Sequence, residues 1–542
     1  MPKAKLPHTI YAEKLCKKYP EYGDRTIARM VNKKFPEIKV ESIRTAIRYF
    51  RGHGGDDKRK VKDKELFKPL EYNYKKTNLY KPDSKEYISA QKRKLSKSKY
   101  YIVTWAQNNT PVHKDFLHNI ESYAKFLGAE IHVILGRYKN PTSIFQGKTD
   151  EHWANEILPY ADAHRHSIHK KLQLLSDIKV QPTAMLPLTG LEGISGVCSC
   201  VVGHPKVQLK VVAALEGYEP KIMLTTGAVT RRNYTDSKVG KKGEFHHTYG
   251  LTIIEIVNNE VFIPRQITAL ANGSFTDLCY NVKDGKIKKI NRIAFAKIGD
   301  RHNGEHCKIV EKQQRKLLDY FQPKATVVPD IFNGHSVNPH EQKDPIKLYQ
   351  RDVENTNNFR KEIDELLEDM KPMLKYNLVI ESANHNDFAD RYIKSQDWKR
   401  DIKNAKTYAE CLSILLSNKA PQGIIAYYIK ERFGSKVKTL GRNDSFRIND
   451  WELASHGDLG VSGSKGSISQ FKRLSTKMVC AHSHTPARED GVLYVGTSTR
   501  LRVGYNMGAS SWMNCDVIGH LDKKAQHVFY MGDEKIFTTF AL

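Results

Sequence analysis

Over the first fifty residues the apolar positions recur at helical spacing. Tyr11 to Tyr19 is one such stretch. Asp24 stands ahead of a second, in which Ile27, Met30 and Val31 share a face, and Pro36 stops it. Ser42 opens a third, with Ile43, Ile47 and Phe50 on one side, and Gly52 with Gly54-Gly55 ends it. Three short helices with a tight second connection predict a helix-turn-helix-like unit over residues 1–52. On its last helix Arg44, Arg48 and Arg51 form a stripe opposite the apolar one, as a groove-facing helix needs. A plain three-helix bundle with exposed arginines fits the same pattern. Residues 53–97 lose this periodicity and hold the runs DDKRKVKDK and QKRKLSKSK, which predicts a basic linker or phosphate-tracking arm.

From 98 to 290 the pattern changes to α/β. Tyr101–Trp105 is a short apolar strand, His113–Leu127 a helix closed by Gly128, and Glu130–Leu135 the next strand, together a βαβ unit. Asn258-Asn259 and Asp284-Gly285 mark two hairpin turns. His164, His166 and His169 are read as surface histidines of a helix. No role for this α/β domain follows from its residues, and no internal repeat is visible.

From 291 to 542 short apolar strands end in donor residues. Ile293–Ile298 runs into Gly299-Asp300-Arg301-His302, and Ala325–Val328 into Pro329-Asp330. Asn377–Ile380 leads to Asn384-His385, Trp451–Ser455 to His456-Gly457-Asp458, and Lys477–Ala481 to His482-Ser483-His484. Helical stretches separate the first three strands. In an α/β fold ligands gather beyond the carboxyl ends of the strands, so five strand ends converge on one edge. Each motif alone is weak; five in order are not. Two aspartates, four histidines and an asparagine amide give mixed N/O donors without thiolate, which suits a hydrolytic metal pair better than structural zinc.

Composition narrows the class. With 542 residues, 39% hydrophobic and 27% charged, the chain is globular and long enough for roughly three to four domains. The net charge is +28, and residues 1–100 carry 28 Lys+Arg against 12 Asp+Glu, a net of +16. A bias spread over a hundred residues points to nucleic acid, duplex DNA first. Eight cysteines are scattered, with only Cys198 and Cys200 close, as in a reducing compartment. No apolar run approaches the ~20 residues of a membrane span, and MPKAKLPHTI has no secretory h-region. A cytoplasmic protein with no membrane partner is expected; a homo-oligomer is left open.

The order D-x-H, D, N-H, H, H-x-H resembles the calcineurin-like metallophosphoesterase superfamily, over about residues 291–542. Gly299, Asp300 and His302 match the first motif. Asp330 matches the second, with Pro329 for its glycine and Asn333 for its second aspartate. Asn384 and His385 match the third, with Ala383 for glycine and Asn386 for the acid. His456 is the fourth, and His482 and His484, preceded by Ala481, the last. The resemblance implies a four-layer α/β/β/α sandwich with two divalent ions, Mn2+ first and Fe, Zn or Mg as alternatives. One ion would take Asp300, His302, Asp330 and His484, the other Asp330, Asn384, His456 and His482. Such a pair, about 3.5–4 Å apart, lowers the pKa of a shared water and clamps phosphoryl oxygens. His385 would serve the leaving oxygen. His306, His335 and His340 are candidates to line the phosphate site, and Asp458 to orient a ligand histidine. With the basic N-terminus, the branch implied is that of the double-strand-break nucleases. The layout from Tyr19 to Gly52 also looks like the pre-early DNases with which large tailed phages degrade host DNA, acting in the host cytoplasm. The expectation is a two-metal deoxyribonuclease. The alternatives are a phosphatase or small-molecule phosphodiesterase of the same superfamily, and a non-catalytic DNA-binding scaffold.

Overall fold

A computed structural model describes residues 6–19, 22–50, 74–76, 89–90, 93–138, 152–342, 344–504, 506–532 and 537–538. Three helices form the N-terminal unit: α1 (Pro7–Lys18), α2 (Asp24–Lys34) and α3 (Val40–Phe50). Proline opens α1, and Asp24 at the start of α2 with Lys33 and Lys34 at its end complements the helix dipole. Ala12, Ile27, Ala28, Val31, Ile43 and Ile47 are fully buried between them. Burial of each branched side chain contributes about 1.5–3 kcal/mol. Most of the expected linker, and Arg51, lie outside the described residues. Within that span Tyr74–Lys76 pairs antiparallel with His152–Ala154.

The expected βαβ unit is present. Strands Tyr100–Gln107 and Glu130–Gly136 run parallel, joined by the helix Lys114–Leu127. His113 caps that helix by accepting from the Phe116 amide, and Gly128 ends it at φ 65°. Both hairpins form. Asn258 Oδ1 accepts from the Glu260 and Val261 amides in the first. In the second, Asp284 and Gly285 take φ of 50° and 72°, the left-handed pair of a two-residue turn.

His164, His166 and His169 do not lie in a helix. His166 and His169 belong to the strand Arg165–His169, and both are buried. The ladder to Leu172–Leu175 shifts register between Ser167 and His169. The register shift marks a bulge in that strand, and the burial of the two histidines comes from the sheet and not from a helix face.

Two larger sheets carry the rest. A seven-stranded sheet places Lys438–Thr439, Leu378–Ile380, Thr326–Val328 and Phe295–Lys297 side by side in parallel, then Cys515–Gly519, Ala525–Met531 and Phe537–Thr538 antiparallel. Side chains alternate across it. Phe295, Val327 and Val379 enter one buried cluster with Trp451, Val479 and Leu493 of the second sheet. Ala296, Val328 and Ile380 enter another with Leu317, Leu366 and Ile424 of the helices. The second sheet has ten strands. Arg488 and Glu489 pair with Leu209 and Gln208, so it joins strands from both sides of the boundary expected at 290. No described helix is long and apolar enough to cross a membrane.

Candidate metal centre

The donor residues sit where the parallel strands end. Phe295–Lys297 leads through Gly299 to Asp300, which bridges to Thr497. A Cβ on Gly299 would meet the Thr497 backbone at 2.5 Å, so this approach requires glycine. Four donor residues hold left-handed backbone: His302 (φ 44°), Asp330 (39°), His482 (70°) and His484 (54°). Such conformations cost on the order of 1–3 kcal/mol each and gather at functional sites.

Asp300, His302, Asp330 and His484 each offer one donor atom, all within 4.8 Å of one another, and all four are buried. Asn384 Oδ1 lies 3.0 Å from His456 Nε2 and 3.1 Å from His482 Nδ1. His456 Nε2 is 3.1 Å and His302 Nε2 3.8 Å from Asp330 Oδ2, so Asp330 touches both groups. The structure thus brings all seven sequence-predicted donors together.

The polar atoms fit a cation. His302 Nε2 faces His484 Nε2 at 3.1 Å. Two imidazole nitrogens in that contact share at most one proton, whereas a metal ion satisfies both lone pairs. Asp300 Oδ1, His302 Nδ1 and His484 Nδ1 are buried without a hydrogen-bond partner among the described residues. This cluster of aspartates and histidines can therefore hold metal.

Electrostatics agree. Burial works to raise Asp300 and Asp330, but the neighbouring histidines hold Asp300 below and Asp330 well below the ordinary carboxylate range. Burial, reinforced by His385, drives His302 far down, to the neutral form that could bind a metal. His456 goes the other way. Burial would lower it, but Asp330 and Glu381 hold it well above its ordinary value.

Two residues in this site escaped the sequence reading. Glu381 Oε1 accepts from His456 Nδ1 at 3.1 Å, and its Oε2 accepts from Lys297 Nζ at 2.6 Å. Both are fully buried, and Lys297 also donates to the carbonyls of Leu453, Ser455 and Val479. A lysine inside the apolar run Ile293–Ile298 was the available signal. Asp458 makes no hydrogen bond to any of the candidate histidines among the described residues. It pairs with Arg442, which also holds Asp387.

His385 donates from Nδ1 to the Asn333 carbonyl at 2.7 Å, and its ring lies 4.4 Å from that of His302. His335 and His340 line a cavity of about 420 Å³ that reaches Asn384 and His385. His306 instead lies 3.3 Å from Glu311. On the N-terminal unit Arg48 is exposed. Arg44 is half-buried and paired with Asp236 and Glu41. A separate buried group, His132, Asp162 and His166, is internally bonded: Asp162 accepts from His132 at 2.7 Å and His166 at 3.0 Å.

The chain is 28% identical over 457 residues, 78% of its length, to Protein A1 of Escherichia phage T5, of which the match covers 80%. It is a relative of a phage protein. No protein-family profile matches it, and no solved structure does.

Proposed function

We propose that this chain is a phage-encoded, metal-dependent deoxyribonuclease that acts on duplex DNA in the host cytoplasm. The single observation that carries this reading is the convergence of Asp300, His302, Asp330, Asn384, His456, His482 and His484 around shared carboxylate and imidazole atoms. The order of these residues along the chain, which resembles the calcineurin-like metallophosphoesterases, supports two divalent ions with Asp330 between them, Mn2+ first. When bound, such ions activate water and withdraw charge from a phosphodiester.

The remaining chemistry belongs to the chain. Asp300, His302, Asp330 and His484 would hold one ion and Asp330, Asn384, His456 and His482 the other. Glu381 fixes the His456 tautomer, leaving Nε2 as the donor. The Asn333 carbonyl fixes His385 through Nδ1, so its Nε2 is the atom that delivers a proton to the leaving oxygen. The net charge of +28 favours a long polyanion over a phosphoprotein or free nucleotide.

Incubation with plasmid DNA and with p-nitrophenyl phosphate, first with Mn2+ and then with EDTA, tests the reading. Plasmid cleavage that EDTA stops supports it. Hydrolysis of the monoester alone makes the chain a phosphatase, and DNA binding without cleavage makes it a scaffold.

A further inference from the structure

The helix Lys238–His246 lies against the N-terminal unit. Arg44 Nε and Nη2 donate to Asp236 Oδ2, at 3.0 and 2.5 Å. At the start of α2, a Cβ on Gly23 would stand 3.3 Å from Lys241 Nζ. Between the two bodies opens a cavity of about 500 Å³ whose lining includes Arg25, Arg44, Lys238, Lys241, Lys242 and Asp236. Asp236 is the only carboxylate in that lining among the described residues. It and the adjacent Glu41 and Glu244 engage Arg44 and Lys241. Lys238 and Lys242 are exposed and have no ion pair among the described residues. Arg25 has only a loose surface contact with Glu41 at 3.7 Å, which is worth little. Phe245 beside them is 81% exposed.

The far end of this helix is tied to the sheet that carries His482 and His484. His246 Nδ1 lies 2.7 Å from Asp490 Oδ1, in the turn between Ala487–Glu489 and Val492–Tyr494. Lys206 reaches the same aspartate at 3.1 Å. The groove therefore keeps a set relation to the metal centre.

We propose that this groove is a duplex-DNA backbone site, in which Lys238, Lys242 and Arg25 contact phosphates. Arg44 is a positioning residue that docks α3 through Asp236. Lys238 and Lys242 stand at i and i+4, about 5–6 Å apart at Cβ, so both long side chains reach one strand from one helix face. Their charge is unbalanced locally, which selects a polyanion. The proposal rests on the DNA reading above, and names the surface that would hold the substrate.

The test uses the full chain. Binding of a blunt DNA duplex is measured in EDTA across a salt series for wild type, Lys238→Ala/Lys242→Ala and Asp236→Asn. Hydrolysis of bis(p-nitrophenyl) phosphate is followed separately with Mn2+. The double variant is expected to bind more weakly, with a log–log salt slope shallower by about 1.8, from about 0.9 per lost phosphate contact. Its small-diester rate should be unchanged. Asp236→Asn adds net positive charge, so a pure field effect would tighten binding; loss of docking weakens it, which is the expected result. Unchanged affinity and slope in the double variant overturn the groove, and tighter binding by Asp236→Asn overturns the positioning role. Absence of diester hydrolysis by wild type in Mn2+ fails the nuclease reading instead, and leaves the binding result to stand or fall by itself.

Discussion

Glu381 accepts the Nδ1 proton of His456 at 3.1 Å and holds Lys297 with its other oxygen at 2.6 Å. One buried carboxylate therefore sets the tautomer of a donor histidine and neutralises an ammonium between the sheets. Glu381→Gln keeps the shape and removes the charge. Metal affinity at the His456 position is expected to drop by about 10–100-fold, the usual cost of losing such a partner. Glu381→Ala leaves Lys297 buried and unpaired, and is expected to cost about 3–5 kcal/mol in urea unfolding. Wild-type stability and metal affinity in both variants would remove Glu381 from this role.

Asp330 touches both halves of the donor cluster, through His302 at 3.8 Å and His456 at 3.1 Å. Asp330→Asn is expected to abolish DNA cleavage and lower bound metal, with the circular dichroism spectrum of wild type. Turnover close to wild type in Mn2+ would show that Asp330 does not bridge.

His385 bonds the Asn333 carbonyl and lies tilted against Phe388, with ring centroids 4.4 Å apart. The same Nδ1 contact would orient either a ligand or a proton donor, and the role proposed for His385 is the proton donor. His385→Ala is therefore expected to retain its full metal content and lose about 10²–10⁴ in rate, as for a general acid. Elemental analysis decides: a missing metal equivalent makes His385 a ligand.

His132 supplies a pH-dependent contact away from the metal centre. Burial would lower it, but Asp162 and Glu130 outweigh burial and hold it above its ordinary value. Burial would raise Glu130 and Asp162. Hydrogen bonds from His132 and Ser96 bring Glu130 down to about 2, and those from His132 and His166 also lower Asp162. The histidine's share of stability is present below its unfolded pKa near 6.5 and fades as pH rises through the higher folded value. The carboxylates' share is present above about pH 4 and fades on acidification. Comparing urea midpoints of wild type and His132→Asn, the gap should be widest near pH 5–6 and narrow toward pH 9. A gap that is flat across that range would show that His132 carries no charge there.

The sequence by itself determined what is decided within a few residues. The three N-terminal helices, the βαβ unit and both hairpins follow from face periodicity, caps and turn residues, which act locally. The meeting of the seven candidate residues was also legible, because each follows a short apolar strand and parallel strands deliver their ends to one edge. Tertiary structure decided what depends on distant partners. Glu381 could not be assigned to His456 or Lys297 before the two sheets were packed, since the charges are separated along the chain and meet only in the inter-sheet core. Strand pairing across residue 290 joined segments that the change of pattern along the chain had separated. His166 and His169 lie buried in a strand, where the local reading had surface histidines on a helix. Arg44 belonged to an exposed stripe by periodicity, yet Asp236, 192 residues away, holds it half-buried. Local patterning states which face of an element is polar, whereas the packed fold determines whether that face meets water, DNA or another part of the chain.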